Sequence, residues 1–124
     1  MRKTLHTIVA TALTAALPAL AADPLSAGQM DAASQVFVGT ATCEFNNKIT
    51  LTPVDGQPGH FKLQHKKATY TLVPQETTTG AVRLEDAKAG VVWLQIPAKS
   101  MLMNAKLGQR VADGCQMSEQ MAAK

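Results

Sequence analysis

Two cysteines, Cys43 and Cys115, constrain this chain more than any other feature, because its first 21 residues decide what those thiols can become. The chain opens Met1-Arg2-Lys3, runs apolar from Leu5 to Leu20, and reaches Ala19-Leu20-Ala21. A basic start, an apolar stretch and small residues at the minus-three and minus-one positions have the form of a secretory signal peptide cleaved after Ala21. Cleavage after Ala22 would place Leu20 at minus three, which is less favourable. The expected location is therefore periplasmic or secreted, in an oxidising compartment. With two cysteines one pairing is possible. A bridge across a loop of roughly 70 residues contributes about 4 kcal/mol in the chain-entropy model, a large share of a total stability of about 5–15 kcal/mol. A metal ligand or a free thiol is the alternative, but neither cysteine has a CxxC partner or a histidine at ligand spacing.

The chain left after cleavage forms one domain with a modest core. Pro18 sits late in the leader, and the apolar run falls short of the about 20 residues a spanning helix needs. No cysteine follows the cleavage site directly, so no stable membrane anchor is expected. Arg2 and Lys3 supply two of the three net positive charges. The chain beyond the leader is nearly neutral. It lacks the clustered basic surface that nucleic-acid binding requires, and the polybasic segment that anionic lipid attracts. Lys62, Lys66 and Lys67 read as the solvated end of a hairpin.

Residues 22–35 read as a lead-in, a flexible arm or a single short helical turn. From Val36 the pattern turns to period two, with Gly and Pro clusters between short runs. Residues 36–45 predict a strand with Phe37, Cys43 and Phe45 on one parity. Residues 48–53 place Ile49 and Leu51 together, and 60–65 do so with Phe61 and Leu63. Between them lies a turn at 55–59, where glycine permits positive φ and proline fixes it negative. Strands follow at 68–74, with Tyr70 and Leu72 inward, and at 82–86, with Val82 and Leu84 inward. The apolar run at 91–96 predicts a strand covered on both faces. Strands at 101–105 and 108–115 complete the domain over 36–115, and 116–124 forms a tail with one or two helical turns. About eight short strands give an all-β fold, a small antiparallel barrel. A barrel removes sheet edges and sets the first and last strands side by side, where Cys43 and Cys115 meet. A β-sandwich accounts for the same pattern nearly as well.

Catalytic chemistry finds little footing. Asp55, Glu76, Glu85, Asp86 and Asp113 sit mostly beside turn residues, whereas glycan hydrolysis needs two carboxyls facing each other. Ser100 has His60 and His65 in the same chain but no G-x-S-x-G elbow. The chain is read as non-enzymatic, with no cofactor. Met101 and Met103 lie two apart, and thioethers suit Cu(I) in an exported protein. A strand methionine is ordinarily core filler, and His60 and His65 have opposite parity on one strand. A copper-binding module is accordingly a third functional reading, with no metal ligand set assigned.

The segment 77–104 reads T-T-T-G-A-V-R-L-E-D-A-K-A-G-V-V-W-L-Q-I-P-A-K-S-M-L-M-N. With the strand ending in Cys43 and the closing R-V-A-D-G-C at Cys115, it resembles the exported C-type lysozyme inhibitors and the related small adhesin-complex proteins of Gram-negative bacteria. The resemblance implies an eight-stranded barrel closed by a disulfide between first and last strands, with two loops that enter the lysozyme cleft. In that family a serine-glycine-alanine stretch precedes a tryptophan, and a lysine follows two places on. Here Thr79 stands in the serine's place before Gly80-Ala81, and Gln95 stands in the lysine's place after Trp93. Arg83 or Leu84 stands near an expected tyrosine. Losing the lysine forfeits a charge-assisted contact worth about 1.5–3 kcal/mol. Trp93, inside Val91-Val92-Trp93-Leu94, reads as core. The expected partner-binding set is Thr79, Gly80, Arg83, Gln95, Lys99 and Ser100, with Arg83 or Lys99 meeting acidic groups of the partner. That partner is a C-type lysozyme or, for an adhesin on the same scaffold, a host surface protein. The pattern leaves the oligomeric state open.

Overall fold

The computed structural model describes residues 10–11 and 24–122, so the signal-peptide expectation over 1–21 lies almost wholly outside the described residues. Eight strands follow one another around a single antiparallel sheet in chain order. They are β1 (Gly39–Thr42), β2 (Lys48–Pro53), β3 (Phe61–His65), β4 (Ala68–Gln75), β5 (Val82–Asp86), β6 (Val91–Gln95), β7 (Ser100–Asn104) and β8 (Gln109–Cys115). Helix α1 (Ala27–Ser34) precedes the sheet and α2 (Ser118–Ala122) follows it. The ends of the sheet meet at one antiparallel bridge. The Thr42 N–H donates to the Gln116 carbonyl at 3.1 Å, and the Gln116 N–H donates to the Thr42 carbonyl at 3.0 Å. Beside that bridge Cys43 and Cys115 are joined in a disulfide. The result is a nearly closed barrel, and the sandwich alternative does not occur.

Period-two patterning explains the interior. Ile49 and Leu51, Phe61 and Leu63, Val82 and Leu84, Val91 and Trp93 are buried pairs two residues apart on β2, β3, β5 and β6. Leu72, Leu102 and Ala112 join them in one cluster, together with Ala41, Cys43, Cys115 and Met117. Strand registers keep these residues in line: Leu51 lies opposite Leu63, and Leu84 opposite Trp93. The indole N–H of Trp93 is buried in this interior without a hydrogen-bond partner. Val92 is also buried, on the outer face, in line with the expectation that β6 is covered on both sides.

Two segments differ from the sequence pattern. The lead-in, which suits a flexible arm or one short turn, forms an eight-residue helix. A capping box starts it: the Gln29 N–H donates to Ser26 Oγ at 3.0 Å, and the Ser26 N–H donates to Gln29 Oε1 at 2.9 Å. Gln29 Nε2 then donates to the Pro74 carbonyl at 2.8 Å and ties α1 to β4. The second difference is Phe45. Its parity with Cys43 predicts an inward side chain, yet it is 94% exposed. β1 stops at Thr42, and the chain reverses immediately after the disulfide. The Cys43 N–H donates to the Asn47 carbonyl at 2.7 Å, and Phe45 and Asn46 both take φ 58°. The Asn47 N–H donates to the Glu44 carbonyl at 3.3 Å, which makes Phe45 and Asn46 the central pair of a type I′ turn with positive φ at both, so the strand alternation ends before it reaches Phe45.

Candidate functional site

In a sheet whose neighbours are consecutive and antiparallel, alternate connections leave from the same end. The β4–β5 connection (76–81) and the β6–β7 connection (96–99) therefore share one end of the barrel. The first carries Thr79 and Gly80, both exposed. Thr77 Oγ1 donates to the Ala81 carbonyl at 2.7 Å, and the Ala81 N–H donates to Thr79 Oγ1 at 3.4 Å, which closes the loop on itself. A groove of about 350 Å3 separates this loop from α1, and Asp31, Glu76 and Gly80 line it. Gly28 permits that approach, because a Cβ there would overlap the Glu76 carboxylate. Ser26 Oγ donates to the same carboxylate at 3.4 Å. The surroundings of Gly80 are thus acidic.

The second connection has the opposite charge. The Ile96 N–H donates to the Lys99 carbonyl at 2.9 Å, which makes a tight turn. Lys99 Nζ reaches Asp113 Oδ1 at 3.1 Å, and Arg110 Nη1 reaches Asp113 Oδ2 at 2.9 Å. The Gly114 N–H donates to Asp113 Oδ1 at 2.6 Å. This backbone N–H, with Lys99 next, holds the Asp113 carboxyl below the ordinary aspartate range. Two cations share one anion, so the cluster keeps a surplus positive charge. Gly114 takes φ 62° there, and β8 slips register against β7 over the same stretch.

The barrel end divides the six expected contact residues. Thr79, Gly80 and Lys99 lie in its two loops, and Arg83 lies on β5 beside them. Gln95 and Ser100 do not face a partner. They are Cα partners in the β6–β7 hairpin, on the inward parity of Trp93 and Leu102, and both are buried. Gln95 Oε1 accepts the Phe37 N–H at 2.9 Å, and its Nε2 donates to the Gln35 carbonyl at 2.8 Å, which fastens the arm after α1. Ser100 Oγ accepts Gln120 Nε2 at 2.9 Å. The same amide donates to the Ile96 carbonyl at 3.0 Å, so α2 is stitched to loop 96–99. Their parity was readable in the sequence and outranks their place next to the loop.

Arg83 Nε lies 3.4 Å from Glu85 Oε2 on the outer face. It shares a groove of about 310 Å3 with Arg110 over a floor of Val92 and Met103. Met101 and Met103 pair with Leu94 and Val92 across β6 and are half-buried among apolar neighbours. His65, on β3, and His60, just before it, lie four strands away in the sheet order, so the thioether-imidazole set is not assembled. Among the described residues no group of three or more His, Cys, Asp or Glu side chains is placed to hold a metal ion. Arg110 and Asp113 belong to the site although nothing in their sequence neighbourhood points to Lys99.

The disulfide points to an oxidising, non-cytoplasmic setting. No helix among the described residues is long and apolar enough to cross a membrane. Comparison with protein-family models, curated proteins and solved structures finds no match.

Proposed function

We propose that this chain is an exported protein-binding module that acts by contact, occluding a glycan-hydrolase cleft as a lysozyme inhibitor does. The observation that carries this reading is the pairing of loops 76–81 and 96–99 at one end of a disulfide-closed barrel. Both loops are fixed before any partner arrives, the first by its threonines and the second by Lys99 and Gln120. Such preorganisation lowers the ordering cost of binding. Thr79 and Gly80 are themselves uncharged but lie beside the acidic Asp31 and Glu76, so the attraction to an acidic partner has to come from the other loop. Lys99, Arg110 and Arg83 supply the charge that meets acidic groups of the partner. The leader and the disulfide support export to the periplasm or beyond.

The test is lysis of a peptidoglycan suspension by C-type lysozyme, with and without the oxidised mature protein. Dose-dependent inhibition is expected, weaker after reduction and weaker in Lys99→Ala. No inhibition at a large molar excess would overturn the reading and leave an adhesin-like scaffold binding a host surface protein as the account to pursue.

A further inference from the structure

Lys99 ends a proline turn, so where its charge stands depends on what holds that turn. It follows Ile96-Pro97-Ala98. Within the turn the Ile96 N–H donates to the Lys99 carbonyl, and Pro97 has no N–H to add a second bond. Among the described residues, the side-chain bonds that reach the turn from elsewhere come from Asp113, Gln116 and Gln120. Gln116 Nε2 donates to the Ala98 carbonyl at 3.0 Å, and Gln120 Nε2 donates to the Ile96 carbonyl at 3.0 Å. Two glutamine amides therefore hold the turn by its backbone, one at each side of Pro97.

Gln120 is 0% exposed, an uncommon place for a flexible polar side chain. Its Oε1 accepts the Met117 N–H at 3.0 Å, and its Nε2 also donates to Ser100 Oγ at 2.9 Å. A backbone N–H can only donate, so the Met117 bond fixes which way the amide faces. Both glutamines follow Cys115 directly, and that segment is anchored independently of the turn. Cys115 is bonded to Cys43, and the Gln116 backbone exchanges hydrogen bonds with Thr42 in both directions. The two amides thus brace the turn against the barrel seam.

We propose that Gln116 and Gln120 are positioning residues for Lys99, holding the backbone of loop 96–99 so that the ammonium is presented to an acidic group of the partner. The proposal deepens the reading of the two loops as a contact surface and rests on it for the identity of that partner. Asp113 holds the ammonium itself, and the two amides hold the chain behind it. Neither glutamine touches the partner; each acts through Lys99.

The test compares the oxidised protein with Gln116→Leu and Gln120→Leu, with far-UV circular dichroism and a thiol count to confirm fold and bridge. Gln116→Leu is the gentler change, because its backbone bridge to Thr42 stays. Native-state hydrogen exchange of the Ile96 amide is expected to quicken at least about tenfold in each. In Gln116→Leu the Phe37 amide, bonded to Gln95, keeps its rate. Lys99 helps to hold the Asp113 carboxyl below the ordinary aspartate range, so in both variants that carboxyl is expected to titrate at higher pH as Lys99 is freed. In the lysozyme assay Gln116→Leu is expected to weaken inhibition on its own and to add nothing to Lys99→Ala. Ile96 exchange or Asp113 titration that stays unchanged in folded Gln116→Leu overturns the proposal, whatever the lysozyme result. A loss of inhibition that adds to that of Lys99→Ala overturns it as well. A wild type that does not inhibit overturns the lysozyme reading alone, and exchange and titration then decide the positioning role.

Discussion

Replacing Gln95 by leucine separates a structural role from a partner-contact role more cleanly than any other substitution in this molecule. The side chain is 6% exposed, and both ends of its amide are used. It accepts the Phe37 N–H at 2.9 Å and donates to the Gln35 carbonyl at 2.8 Å. Leucine of similar size keeps the packing and removes both bonds. Each is worth about 1 kcal/mol net, and each backbone group left buried and unpaired costs about 1–3 kcal/mol. If the arm stays seated and both part-buried groups lose their partners, the expected loss is about 2–6 kcal/mol. If the arm lifts to let water reach Gln35 and Phe37, the loss falls toward the lower value. In that case the opening appears instead as faster exchange of the Phe37 amide. Urea unfolding of the oxidised protein gives the first quantity, and native-state hydrogen exchange gives the second. A stability change below about 0.5 kcal/mol together with unchanged Phe37 protection would refute the staple.

Phe45→Asn removes a large apolar side chain and is expected to stabilise the protein by about 1 kcal/mol, because asparagine accepts the left-handed conformation of the turn; a raised urea midpoint checks it. The double variant Cys43→Ala, Cys115→Ala is expected to lose about 4 kcal/mol, read from the same unfolding curves. Asp113 has a depressed folded-state pKa, so its stabilisation is complete above the unfolded aspartate value of about 3.9 and is lost as pH falls through the lower folded value. Asp113→Asn should therefore flatten that part of the acid limb in a plot of stability against pH.

What the sequence shows most clearly is the barrel interior. Ile49 and Leu51, or Phe61 and Leu63, are legible because strand side chains alternate strictly and only one face is apolar. The same rule places Gln95 inside with Trp93, and it prevails over the loop position suggested by resemblance. The rule breaks at Phe45, where alternation continues in the sequence but the strand has already ended. Glu44-Phe45-Asn46-Asn47 contains no glycine to mark the reversal. Helix α1 is announced only by Ser26 and Gln29 at capping-box spacing, with little amphipathic pattern behind them. The Lys99–Asp113–Arg110 cluster is beyond sequence reasoning, since it depends on how β8 slips against β7 at Ser100, Leu102 and Met103.

The short seam between β1 and β8 has a consequence for how this protein behaves in company. Among the described residues one bridge, Thr42 with Gln116, and one covalent bond hold the two rims together, and β1 itself is only four residues long. A reducing environment would withdraw the covalent part and leave two strand rims able to accept a neighbour's backbone. The irregular register of β8 and the charged Arg110 and Asp113 on it make that rim a poor template for a straight incoming strand. Oxidation thus governs not only how firmly the chain is folded but how sociable it is, and of the two rims it is the short β1, not β8, that reduction leaves open to a neighbour.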